Sequence, residues 1–107
     1  MTDSDQTLVK SAARSISVAF DLSDVDALEP ANFMNIIRSE LLNRIIKMLA
    51  TNPERLMALL YRIDVDENRV KEIFASSIPD DIPELLVDLV IERQLAKAAT
   101  RRAAKKS

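Results

Sequence analysis

The sequence predicts an all-α domain, a compact bundle of four to five helices with short loops. Apolar residues recur at helical spacing from Phe33 to Leu95. The segments after Asn52 each open on a residue pattern that starts helices. The 107 residues also include no Gly, which tight hairpins and phosphate-cradling loops need for their positive-φ positions.

The first segment carries two patterns at once. Leu8, Ala12, Ile16 and Phe20 recur at i+4 as on a helix, whereas Ile16, Val18, Phe20 and Leu22 alternate as on a strand. A lone strand has nothing to pair with in a chain that otherwise reads helical. A helix over residues 5–18 is therefore expected, followed by an acidic linker, DLSDVDALE.

The second helix is expected to open with Glu29 as N-cap, Pro30 at N1 and a Leu28–Phe33 staple. Its apolar side comprises Phe33, Met34, Ile37, Leu41, Ile45, Met48 and Leu49, and Leu42 and Ile46 widen it. A stripe this broad marks a central helix. Pro53 ends it, and the third helix restarts at once. Its cap is either Thr51 with Glu54 or Asn52 with Pro53 at N1, and its stripe is Leu56, Leu59, Leu60 and Ile63.

The fourth helix begins at Asp66 as N-cap with a Val65–Val70 staple. It turns Val70, Ile73 and Phe74 inward, and Ile78 closes the loop. The fifth starts near Asp81, with Pro83 in the first turn and Glu84 at the capping-box position. Ile82, Leu85, Leu86, Leu89 and Val90 form its main apolar face, and Val87, Ile91 and Leu95 form a second stripe roughly opposite. Leu59, Leu60, Phe74, Leu86 and Leu89 are expected to share one core. Without Gly, the helices are expected to end on Asn or before a Pro.

Composition narrows the chemistry. With no Cys and no His there is no disulfide, no thiolate nucleophile and no plausible zinc site, and no cofactor is expected. Ser76-Ser77 has no evident base, and the carboxylates form no recognisable nucleophile–base pattern, so catalysis is not expected. The N-terminus, MTDSDQTLVK, lacks the apolar core of a signal peptide, and runs such as Leu85 to Val87 are too short to cross a bilayer. A cytoplasmic location and no membrane contact are expected.

The net charge of −2 hides an asymmetry. Residues 1–30 carry six acids against two bases, whereas residues 96–107, AKAATRRAAKKS, carry five bases and no acid. Cations at the end of a last helix complement its dipole and aid solubility. The sharper reading is a polyanion-binding tail made of Lys97, Arg101, Arg102, Lys105 and Lys106. The tail has no interleaved aromatic residue, so it would touch phosphates without reading sequence.

Four local patterns have bland explanations. Asp64-Val65-Asp66-Glu67-Asn68 opens like a calcium loop, but Arg69 replaces the required Gly and Ala75 the bidentate Glu. Leu56-Met57-Ala58-Leu59-Leu60 fits a groove-docking LxxLL pattern and reads as core. Glu84, Asp88 and Glu92 form an acidic row at i, i+4, i+8, a solvated face that a basic neighbour would help. Tyr61 and Arg62 are interface-enriched types, with Asp64 near enough for an Arg62 pair, and Arg93 is expected to snorkel or to meet Asp64 or Asp66.

Leu60-Tyr61-Arg62-Ile63-Asp64-Val65, followed by Leu89-Val90-Ile91-Glu92-Arg93-Gln94-Leu95-Ala96-Lys97, resembles a family of small uncharacterised bacterial helical proteins. The likeness covers residues 55–102. It implies an all-helical fold and a bacterial cytoplasmic setting, with no activity, ligand or catalytic residue attached.

The chain is therefore expected to divide into an acidic N-terminal segment (1–28), a helical core domain (29–96) and a basic tail (97–107). The expected role is a non-catalytic protein–protein interaction or adaptor module for an unidentified partner. Homodimers would form through Val87, Ile91 and Leu95, with Arg93 and Gln94 at the rim. The alternative is non-specific nucleic-acid or polyanion binding through the tail.

Overall fold

A computed structural model describes the backbone of residues 2–22 and 33–106, and side chains over residues 8–22 and 34–101. Among the described residues five α-helices make up the bundle: α1 (Thr2–Phe20), α2 (Phe33–Thr51), α3 (Pro53–Arg62), α4 (Glu67–Ser76) and α5 (Ile82–Lys106). A 3-10 turn, Pro79–Asp81, leads into α5. At 1.5 Å per residue α5 is ~37 Å long, and it matches the 39 Å long axis of the molecule. It packs on α1, α2 and α4, while α1 also meets α2 and α2 meets α3.

The ambiguity of the first segment resolves on one residue. Ile16 and Phe20 are buried at i+4 spacing, but Val18 between them is 78% exposed. A strand would have turned all three the same way. The helix is longer than expected at both ends, and it is no appendage, because Ala12, Ala13, Ile16 and Phe20 are all buried. The expected start of the second helix at Glu29, Pro30 and Leu28 lies outside the described residues.

Two helices end without Gly by placing an Asp in the left-handed region, not the Asn or Pro expected. Asp64 has φ 65° after α3. Its amide donates to the Tyr61 carbonyl, and the Val65 amide reaches back to the Leu60 carbonyl, each at 3.1 Å. That pair of bonds is the Schellman arrangement, and its usual apolar contact is available because Leu60 and Val65 are both buried. Asp21, φ 55°, ends α1 in the same region, with the Leu22 amide on the Ser17 carbonyl at 2.9 Å. Asp tolerates this conformation better than most residues because its short polar side chain bonds locally.

Helix starts follow the sequence closely. Asn52, not Thr51, caps α3, its side-chain oxygen accepting from the Arg55 amide at 3.2 Å with Pro53 at N1. Asp66 caps α4 through the Asn68 amide at 2.9 Å. Val65 and Val70, the expected staple, are both buried.

The core gathers Ile37, Leu41, Ile45, Leu56, Leu60, Val70, Leu86, Leu89 and Val90, with Leu59 partly buried beside them. Phe74 departs from expectation at 39% exposed, and Ile78 is exposed too. Helix α4 is short and offers one buried position, Val70, so its last turn reaches past the core edge.

Candidate functional site

The second apolar stripe of α5 is not an outer surface. Val87 is 1% exposed and Ile91 6%, and Leu95 packs partly buried against the same core cluster. Helix α1 covers them. Along this side of α5, Val87, Ile91, Gln94, Ala98 and Arg101 follow one another at helical spacing, and Arg101 donates to the Ser11 hydroxyl of α1 at 3.4 Å. Helix α1 needs no bulky side chains for this. Ala12 and Ala13 are fully buried, and such small side chains let two helix backbones approach closely. The proposed subunit interface at Val87, Ile91 and Leu95 is thereby corrected to intrachain core.

Gln94, expected at the rim of a dimer, is 3% exposed and acts inside the chain. Its side-chain amide donates to the Ile63 carbonyl at 3.2 Å, satisfying an acceptor at the C-cap of α3. Lys97 reaches the same corner and pairs with Asp64 at 3.1 Å. This displaces the expected Arg62–Asp64 pair, and Arg93 stands exposed without a pair to Asp64 or Asp66 among the described residues. The calcium-like stretch is accounted for: Asp64 ends one helix and Asp66 starts the next. Among the described residues no group of three His, Cys, Asp or Glu side chains could hold a metal ion.

Above that corner, α1, α3 and α5 enclose a groove of about 690 Å³. Among the described lining residues five are cations, Lys10, Arg14, Arg62, Lys97 and Arg101, and none is a carboxylate. Lys10 and Arg14 stand one turn apart on α1, and Lys97 and Arg101 one turn apart on α5. Its apolar lining is Val18, Ala19, Leu59 and Ile63. A second groove of about 370 Å³ shares Ala19 and Leu59 with the first and adds Arg44, Lys47 and Arg55, against one acid, Asp21. The Arg44 guanidinium donates to the Asp21 carbonyl at 3.1 Å. Lys10 and Arg62 have no carboxylate within ion-pair distance among the described residues.

The opposite side of α5 behaves differently. Asp88 of the acidic row pairs with Arg38 from α2, and Glu92 with Arg69 from α4 at 3.0 Å. Hydrogen bonding and charge from Glu92 hold the Arg69 guanidinium above its ordinary pKa. The basic neighbours that this row called for are therefore present, and its charge is largely answered within the chain.

Sequence reasoning found Lys97 and Arg101 but assigned them to a basic tail (97–107) outside the helical core domain. They belong to the folded body: Ala98 is buried between them, and the helix continues through Arg102, Lys105 and Lys106. Lys10 and Arg14 were missed, and Arg62 was singled out as an interface-enriched type without being placed beside them. The signal for the first two was their i, i+4 spacing in an otherwise acidic segment. Nothing local marked Arg62 as their neighbour.

No protein-family model, curated protein or solved structure matches the chain. The likeness of residues 55–102 to small bacterial helical proteins stays a resemblance, and the site rests on this chain's own geometry. No described helix is long and apolar enough to cross a membrane.

Proposed function

We propose that this chain is a non-catalytic binding module that engages an anionic macromolecular partner through the groove between α1, α3 and α5. One observation carries the reading: among the described residues five cations and no carboxylate line that groove, in a chain whose net charge is −2. Folding gathers these cations from three separate helices, and Lys10 and Arg62 have no carboxylate within ion-pair distance among the described residues, so an anionic occupant lowers their repulsion. A concave cationic surface with low-dielectric walls also focuses the field and raises the encounter rate with anions.

The expected adaptor role and the expected polyanion role converge on this surface. Self-association loses its motive, since the stripe that suggested it is covered by α1. A bacterial cytoplasmic setting, implied by the resemblance, belongs to the same proposal.

The test is the double reversal Arg14→Glu with Arg62→Glu, run on an immobilised polyanion such as heparin beside Lys71→Glu as a control on another face. The groove variant should elute at much lower salt while keeping its helical spectrum, and the control should elute as wild type does. Equal elution of all three proteins would sink the groove as the binding surface.

A further inference from the structure

Resting on that reading, we infer that the groove's occupant is an acidic amphipathic helix of a partner protein, with an aliphatic ridge set between carboxylates. The charge rows alone would suit any polyanion. The apolar residues between them decide the matter.

Val18 is the key residue. It lines the groove on the same helix as Lys10 and Arg14, and its side chain is almost wholly in water. A β-branched residue is a mediocre helix former, so helix propensity gives no reason for Val at this exposed position in the last turn of α1. Ala19 and Leu59, partly buried, and Ile63 continue the aliphatic surface across to α3. The groove thus offers an aliphatic surface beside its cations, with Val18 continuing the row of Lys10 and Arg14 on α1. An amphipathic helix is the complement of that pattern: apolar anchors at i, i+3 or i+4 meet the aliphatic surface, and flanking Glu or Asp meet the cations. Because the second groove continues past Ala19 and Leu59, a partner helix longer than the first groove would meet Arg44, Lys47 and Arg55 next.

Nucleic acid fits less well. Single strands are held by aromatic side chains on which bases stack. Among the described lining residues of both grooves the only ring is Phe20, and it is buried. An aliphatic surface contributes nothing to phosphate binding.

The substitution Val18→Lys separates the two chemistries because they predict opposite signs. It adds a cation to the groove and removes the most exposed apolar contact. Lys is a good helix former and the site is exposed, so the fold should be kept. The full chain, wild type and variant, would be titrated with three probes at low salt. They are a Leu-striped Glu/Asp helical peptide, a scrambled peptide of identical composition, and a single-stranded oligonucleotide of equal charge. The striped peptide should bind wild type more tightly than the other two probes do. Val18→Lys should weaken it by about tenfold, the order expected for losing one buried aliphatic side chain, while the scrambled peptide and oligonucleotide gain affinity. Equal binding of striped and scrambled peptides, or an oligonucleotide binding tightest, would overturn the amphipathic partner and leave the groove as a general polyanion site. If none of the probes binds, the proposed function falls with it.

Discussion

The two sides of α5 handle charge in different ways. One side, next to the buried Leu89, carries the acidic row, and Asp88 and Glu92 meet Arg38 of α2 and Arg69 of α4. The other, next to the buried Val90 and Gln94, opens on the groove where Lys97 and Arg101 meet cations of α1 and α3. Charge on the first side is largely answered by the fold. On the second, Lys10 and Arg62 have no carboxylate within ion-pair distance among the described residues, while Lys97 is held by Asp64. A net charge near zero is therefore uninformative here, because it averages faces of different charge.

The severest way to break this comparison is Ile91→Glu. If α1 covers the stripe, an unpaired carboxylate enters the core together with the loss of a buried Ile, and destabilisation beyond ~4 kcal/mol is expected. In a domain whose total stability is ~5–15 kcal/mol, much of the protein should unfold at ambient temperature, as circular dichroism would read. A folded, monomeric variant derived from a dimeric wild type would instead restore the subunit interface and remove the distinction between the two sides.

Gln94→Leu probes the same side more finely. Leu keeps the volume but leaves the Ile63 carbonyl without its 3.2 Å donor. A buried acceptor left unmet costs ~1–3 kcal/mol. A lower urea midpoint with an unchanged slope is the expected result. An unchanged midpoint would mean that water already serves that carbonyl.

Much of this architecture was legible because it is local. The caps at Asn52 and Asp66, the Val65–Val70 staple and the stripe of α3 all depend on residues a few positions apart. What was not legible was pairing between distant segments. Val87, Ile91 and Leu95 were correctly seen as apolar and in need of cover, but the sequence could not say whether α1 or another chain supplied it. Phe74 was misjudged because periodicity identifies a face without saying how far the neighbouring helices extend over it. The groove was half visible: two of its cations lay in the basic C-terminal stretch, and three were scattered over α1 and α3. Their convergence is a tertiary fact.

On the α4 side, a double-mutant cycle on Arg69 and Glu92 sharpens the comparison. Both side chains are more than half exposed, at 52% and 63%. Screening by solvent keeps such a pair weak, and added salt should reduce it further. A large coupling insensitive to salt would mean that this side is desolvated, and that the two sides differ less than their charges suggest.

The smallest effect expected links a helix end to the groove. Asp21→Gly and Asp64→Gly each relieve a left-handed residue, a gain of ~1 kcal/mol at most. Only Asp64 also holds an ion pair described here, to Lys97 at 3.1 Å with the Lys side chain about a quarter exposed (27%). The backbone contributions are alike, so they largely cancel when the two variants are compared. Asp64→Gly should therefore gain less stability than Asp21→Gly, by up to ~1 kcal/mol, and the gap should close as salt rises. Asp64→Gly also removes the carboxylate nearest the groove and releases Lys97 to its occupant. The same variant should then hold a polyanion to higher salt than wild type does, even with its stability nearly unchanged. If retention falls instead, Asp64 is needed to orient Lys97, and the ion pair is part of the binding surface rather than a brake on it.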